Sequence, residues 1–126
     1  MLSVVAPGWG LQVERVPDGL WIKVSPSRVD GWDTSPLAEA VWSLLQRHLA
    51  HRLVLELDEI ELLTSYLIGQ ILILHNRIRE KDGMIRITGL SPYNQEVLRT
   101  HGLSGRFAVY GNLEEAVMAG HPRKPK

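Results

Sequence analysis

Four carboxylates and two hydroxyls fall within ten residues of this chain: Glu56, Asp58, Glu59, Glu61, Thr64 and Ser65. They belong to the stretch Leu53-Val-Leu-Glu-Leu-Asp-Glu-Ile-Glu-Leu-Leu-Thr-Ser-Tyr-Leu-Ile-Gly69. That stretch reads as a buried strand, an acidic loop, and a serine at the mouth of an apolar helix. A hydroxyl there can cap the helix, worth about 1 kcal/mol. It can also carry a phosphate, which brings about −1.5 to −2 charges. The free protein tolerates such a charge at a helix N-terminus, because first-turn amides and the helix dipole favour anions. A docked partner does not, because repulsion and desolvation act against it. From the residues alone Ser65 is the candidate for either role, with the cap the simpler reading; Thr64 is the alternative, as the modified hydroxyl or as the cap with Ser65 at the first helical position. Cap and switch are compatible readings.

The carboxylates admit a second chemistry, since oxygen ligands can hold Mg²⁺. Alternation along a strand puts Glu56 and Asp58 on one side, while Glu59 and Glu61 lie in the loop. The expectation is a solvated acidic edge that steers a basic partner, not a metal site. The histidines at 48, 51, 75, 101 and 121 show no HxH or HExxH spacing. His48 and His51 stand near a helix end, where the dipole favours them. No GxSxG elbow, Walker pattern or GxGxxG is present. The residues thus offer no recognisable catalytic motif, and no metal or cofactor is expected.

At 126 residues the chain is one domain's worth, enough to bury a core without staples. Lys+Arg and Asp+Glu both number 14, so the net charge is zero and no electrostatic footprint for nucleic acid exists. There is no cysteine, which excludes disulfides and thiolate metal sites and fits a cytoplasmic setting. The start Met1-Leu-Ser-Val-Val-Ala-Pro7 lacks the pattern of a signal peptide. The most apolar helix is interrupted by Gln70, His75, Asn76 and Arg77, so no membrane span is expected.

The elements that must position the hydroxyls follow from pattern. Leu11–Val16 and Leu20–Ser25 read as strands joined by Pro17-Asp-Gly19. Ser35-Pro36 reads as a cap followed by Pro at the first helical position. Leu37, Ala40, Val41, Leu44, Leu45 and Leu49 give the helix behind it an apolar face. After strand Leu53–Leu57, the Ser65 helix runs to about Lys81 with Leu67, Ile71, Leu74 and Ile78 as its stripe. Asp82-Gly83 ends it, with Gly in the C′ role. Met84–Thr88 is a strand; Ser91-Pro92 opens another helix; His101-Gly102 closes it. Phe107–Tyr110 is a strand, and Asn112 caps a fourth helix. The fold class is α/β: one domain, a mixed and mostly parallel sheet of about five strands with four helices. The domain is placed at residues 9–119, with a disordered basic tail at 120–126. Of the tryptophans at 9, 21, 32 and 42, Trp21 and Trp42 read as core. Trp32, in the loop Arg28-Val-Asp-Gly-Trp-Asp33, reads as exposed.

One ordered set of motifs goes further. It runs Glu56-Leu57-Asp58, Thr64-Ser65-Tyr66-Leu67-Ile68-Gly69, Gly83, Gly89-Leu90-Ser91-Pro92, Val97-Leu98 and His101-Gly102-Leu103, then Phe107, Tyr110 and Leu113-Glu-Glu-Ala116. From Leu53 to Gly120 this resembles the STAS domain, the fold of bacterial anti-sigma factor antagonists and of the tails of sulfate transporters. The resemblance implies a protein-binding regulator of transcription, not an enzyme. Its partner would be a GHKL-type serine kinase that doubles as an anti-sigma factor, and phosphorylation of Ser65 would break the complex. The implied partner surface is Trp32, Asp58, Glu59, Glu61, Thr64, Ser65 and Tyr66. Two positions depart from the family pattern: Thr64 replaces an aspartate, and Tyr66-Leu67 replaces a small Ser-Gly pair. The alternative is therefore a phosphorylation-independent STAS scaffold or, failing that, a small ligand-binding α/β domain. A monomer or weak dimer is expected, without nucleic acid or membrane contact.

Overall fold

The computed structural model describes residues 2–6, 9–17, 19–26, 36–103 and 108–110. The elements in chain order are β1 (Leu2–Ala6), β2 (Trp9–Val16), β3 (Gly19–Pro26), α1 (Leu37–Arg47), β4 (Arg52–Glu56), α2 (Ser65–Glu80), β5 (Met84–Thr88), α3 (Pro92–Thr100) and β6 (Ala108–Tyr110). The sheet has six strands in the order β1-β2-β3-β4-β5-β6. The pairs β1–β2 and β2–β3 are antiparallel, and β3–β4, β4–β5 and β5–β6 are parallel. This is the expected mixed sheet with one strand added. β1 lies ahead of residue 9, where the sequence places the domain start. Its apolar run Leu2-Ser-Val-Val-Ala6 is short and does not alternate, so only its pairing with β2 reveals it. Three helices are described; the fourth, expected from Asn112, and the tail at 120–126 lie outside the described residues.

Strand order equal to sequence order has a consequence. Right-handed crossovers that all step in one direction place every helix on the same face of the sheet. One core cluster accordingly joins Trp9, Leu11, Leu20, Ile22, Leu53, Leu55, Ile85 and Ile87 of the strands to residues of all three helices. α1 contributes Leu37, Val41, Leu44 and Leu45; α2 contributes Leu67, Ile71, Leu74 and Ile78; α3 contributes Leu98. The opposite face carries a smaller cluster, Trp21 and Val54 with Val16 and Tyr110. Trp21 is therefore buried as expected, and β4 is apolar on both sides. Among the described strands the parallel order does not reverse, so they form no switch-point crevice of the kind that holds ligands in doubly wound folds.

The helix ends differ from the expected caps in three places. α1 begins at Leu37, with Pro36 at its N-cap and no side-chain bond from that residue. Ser35 lies outside the described residues. The Ala38 amide instead donates to Gln70 Oε1 of α2 at 2.8 Å. At the other end α1 stops at Arg47, so Leu49 leaves the apolar stripe: it sits past the helix with φ 54° and is 85% exposed. α2 ends with Asp82, not Gly83, in the left-handed conformation, at φ 59°. Gly83 follows it because a Cβ there would meet the His51 carbonyl oxygen at 1.9 Å.

Candidate functional site

The parallel strands β3, β4 and β5 end on one edge, and α2 starts there. Thr64 is the N-cap: its backbone is extended (φ −74°, ψ 162°), and its Oγ1 accepts from the Leu67 amide at 3.1 Å. Ser65 is the first residue of the helix and is exposed. The reading of Ser65 as the capping hydroxyl is thus corrected in favour of Thr64. A modification of Thr64 Oγ1 would cost α2 its cap, whereas one on Ser65 would leave the cap intact. By helix geometry the Ser65 and Tyr66 amides have no intrahelical acceptor and face the edge with the positive end of the dipole.

The loop between β4 and α2 is held from beneath. Leu57, Ile60 and Leu63 are buried in the core. The Leu57 amide donates to the Thr88 carbonyl at 2.9 Å, and the Ile60 amide to the Leu57 carbonyl at 3.0 Å. Asn94, fully buried on α3, locks the rest. Its Oδ1 accepts from the Leu63 amide at 3.0 Å, and its Nδ2 donates to the carbonyls of Ile60 at 3.0 Å and Glu61 at 3.4 Å. Asn94 is placed by Ser91, which caps α3 by accepting from the Asn94 amide at 3.1 Å. Gly89 completes the fit: its φ is +84°, and a Cβ would lie 2.9 Å from the Asp58 nitrogen. The Gly89-Leu-Ser-Pro92 sequence therefore does two jobs, letting the acidic loop pass and aiming Asn94 at it. Nothing in the sequence alone marks Asn94, because an asparagine early in a helix more often faces water.

The acidic cluster is divided among partners on β3. Lys23 Nζ lies 3.3 Å from Asp58 Oδ2 and 3.4 Å from Glu59 Oε2. Ser25 Oγ donates to Glu59 Oε1 at 2.8 Å, and Trp21 Nε1 donates to Glu56 Oε1 at 2.8 Å. Burial alone would lower the Lys23 pKa, but its bonds to Asp58 and Glu59 outweigh that and raise it. Burial raises the Glu56 pKa, the neighbouring Asp58 raises it further, and the Trp21 bond opposes both in part. Among the described residues, no group of three or more histidine or carboxylate side chains stands where it could hold a metal ion. No described helix is long and apolar enough to cross a membrane.

Around Ser65 the surface is partly apolar. Leu62, Tyr66 and Tyr93 are exposed, Tyr93 by 63%. Ile73, exposed on α2, is seven residues beyond Tyr66 and so shares its face. Gly69 lies between them, and a Cβ there would meet nothing within 4 Å. The edge thus gathers Asp58, Glu59, Glu61, Thr64, Ser65 and Tyr66. Leu62 and Tyr93 join it, and sequence patterning did not single them out; Ile73 lies about 12 Å further along α2. Trp32 and its loop lie outside the described residues.

No protein-family model matches the chain, and no curated protein matches it in sequence. Solved structures do. An anti-sigma factor antagonist from Mycobacterium paratuberculosis is similar with a TM-score of 0.72 at 20% identity, over 92% of this chain and 97% of that one. An anti-sigma-factor antagonist (STAS) domain protein from Planctomyces limnophilus gives 0.72 at 22% identity, over 86% and 96%. The phosphorylated form of the Bacillus cell fate determinant SpoIIAA, a protein also solved unphosphorylated, gives 0.64 at 15% identity, over 88% and 99%. A helix-covered sheet in sequential strand order, the capped entry into α2 and these similarities lead to one conclusion: the chain has the fold of the STAS domain.

Proposed function

We propose that this protein is a regulatory binding module of the anti-sigma factor antagonist type. Its partner is a GHKL-type serine kinase acting as anti-sigma factor, in the cytoplasm, and Ser65 is the phosphoacceptor. One observation carries the reading: Ser65 is exposed at the first position of α2 while Thr64 already supplies the cap. The Ser65 hydroxyl is thus available for chemistry at no cost to the fold. A phosphate there would meet the positive end of α2 in the free protein. In a complex the same charge would be covered by the partner at the apolar centre of the interface, and the cost of desolvating it would expel the partner. The exposed Leu62, Tyr66 and Tyr93 supply the apolar centre that such an interface uses. SpoIIAA, which shares the fold, is known in phosphorylated and unphosphorylated forms, which supports the same chemistry here.

A second reading keeps the docking edge and drops the switch. Tyr66 favours it, because an exposed phenol beside Ser65 narrows access for a kinase. Phosphopeptide mapping of the protein from its host, with and without phosphatase treatment, separates the two. Phosphate on Ser65 is the expected result. An unmodified Ser65 in both growing and stressed cells would overturn the switch and leave a constitutive scaffold.

A further inference from the structure

The end of the molecule opposite Ser65 carries a second structured feature. α2 links the two ends, and its 16 residues separate them by about 24 Å. Where α1 and α2 terminate, a cavity of about 220 Å³ is walled by Trp42, Leu45, Leu49, Ala50 and Ile78. The cavity is half-open to solvent, with Gln46, His51 and Lys81 completing its lining, and its volume leaves room for a short hydrocarbon group. The Trp42 ring is held by the Arg77 guanidinium, 5.8 Å from its centroid, and Arg77 lies 2.7 Å from Glu39. A broader groove adjoins the cavity, and Leu49, Ala50, His51 and Lys81 line both. Among the described residues its charged lining is Arg15, which also donates to the His48 carbonyl at 3.3 Å, Arg52, Lys81 and Asp82. Arg15 and Lys81 are the cations here that could meet an anionic group.

Leu49 stands at the junction, and its conformation is unusual. The Leu49 amide bonds the Gln46 carbonyl at 3.1 Å, and the Ala50 amide bonds the Leu45 carbonyl at 2.8 Å. This is a Schellman cap, whose left-handed residue is ordinarily glycine. A leucine in that place is backbone-strained, and here it is also 85% exposed. Strain combined with an exposed apolar side chain at a cavity mouth points to a binding role.

We propose that this end binds a small amphiphilic carboxylate. Its hydrocarbon part enters the cavity under Leu49 and Trp42, and its carboxylate lies in the groove near Arg15 and Lys81. Titration of the whole ¹⁵N-labelled protein with sodium octanoate, followed by amide NMR, tests this, with 1-octanol and phosphatidylglycerol vesicles as comparators. Saturable shifts are expected at residues 45–51 and 78–82, with a dissociation constant on the order of 1 mM or tighter. Octanoate should bind more tightly than octanol, and Lys81→Met should weaken octanoate by about fivefold without changing octanol. Leu49→Gly should raise the melting temperature by roughly 3 °C while weakening octanoate, which separates binding from folding. The absence of saturable shifts, equal affinity for octanol, or a response to vesicles alone would overturn the proposal.

Discussion

The division of labour between Thr64 and Ser65 can be tested by stability alone. The Leu67 amide has one acceptor in the first turn, Thr64 Oγ1 at 3.1 Å. Replacing an N-cap threonine by alanine costs about 1 kcal/mol, within a range of 0.5–2. For a domain of this size that is roughly 3–5 °C in melting temperature. Ser65→Ala removes an exposed hydroxyl that caps nothing, so its effect should stay within about 0.5 kcal/mol of zero. Ser65→Asp places a negative charge at the positive end of α2 and should stabilise by about 0.3–1 kcal/mol. Urea and thermal unfolding followed by circular dichroism would rank the variants: Ser65→Asp at or above wild type, Ser65→Ala equal to it, Thr64→Ala clearly below. If Ser65→Ala costs as much as Thr64→Ala, the serine is a structural residue and the argument for a free phosphoacceptor fails.

The other expectations concern the ground beneath the site. Asn94→Ala leaves the Leu63 amide and the Ile60 carbonyl without their buried partner, and at about 1–3 kcal/mol per orphaned group it should destabilise by roughly 3 kcal/mol or more in urea unfolding. An effect as small as that of a surface substitution would show that the loop is not anchored there. For Glu56, the folded pKa lies above 4.5, chiefly through burial, so the anion is the disfavoured form in the fold. Stability contributed by this group is present below its unfolded pKa and is lost as pH rises through the folded value. Glu56→Gln keeps an acceptor for Trp21 and removes the charge. It should therefore raise the melting temperature near pH 7, with the gain shrinking toward about pH 4; a gain that grows on acidification would reverse the assigned cause.

How much of this was legible in the chain depends on whether the cause is local. The stripe of α2 follows from apolar spacing, and Leu67, Ile71, Leu74 and Ile78 are all buried as read. The Ser91 cap and Pro92 start of α3 are equally local and equally readable. The entry to α2 was readable only to within one residue. Thr64 and Ser65 both suit an N-cap, and the choice is set by how the loop descends from Asn94. Gln70 capping α1, Asn94 pinning the loop and Lys23 dividing Asp58 from Glu59 are all long-range pairings between elements. Each residue type is commonplace on a surface, so no spacing announces it. Leu49 misled for a different reason. It continues the α1 period perfectly well, but the chain turns left-handed at that residue to reach β4.

The rigidity of the loop bears on how a phosphate on Ser65 could act. A switch can work by moving the segment that carries it, or by placing charge in a fixed interface. Here the first route is blocked by construction. Three buried apolar side chains, the Asn94 amide and the Thr64 cap fix residues 57–67 from below, and Gln70 ties α2 to the start of α1. Releasing the loop would orphan several buried polar groups, at a cost well above the roughly 1 kcal/mol that a helix dipole returns to an exposed anion. The second route needs only that the partner cover Ser65, and the exposed Leu62, Tyr66 and Tyr93 around it give a partner reason to do so. If Ser65 carries the phosphate proposed for it, the rigid loop therefore favours charge placed in a preformed docking edge, with the fold behind it unchanged.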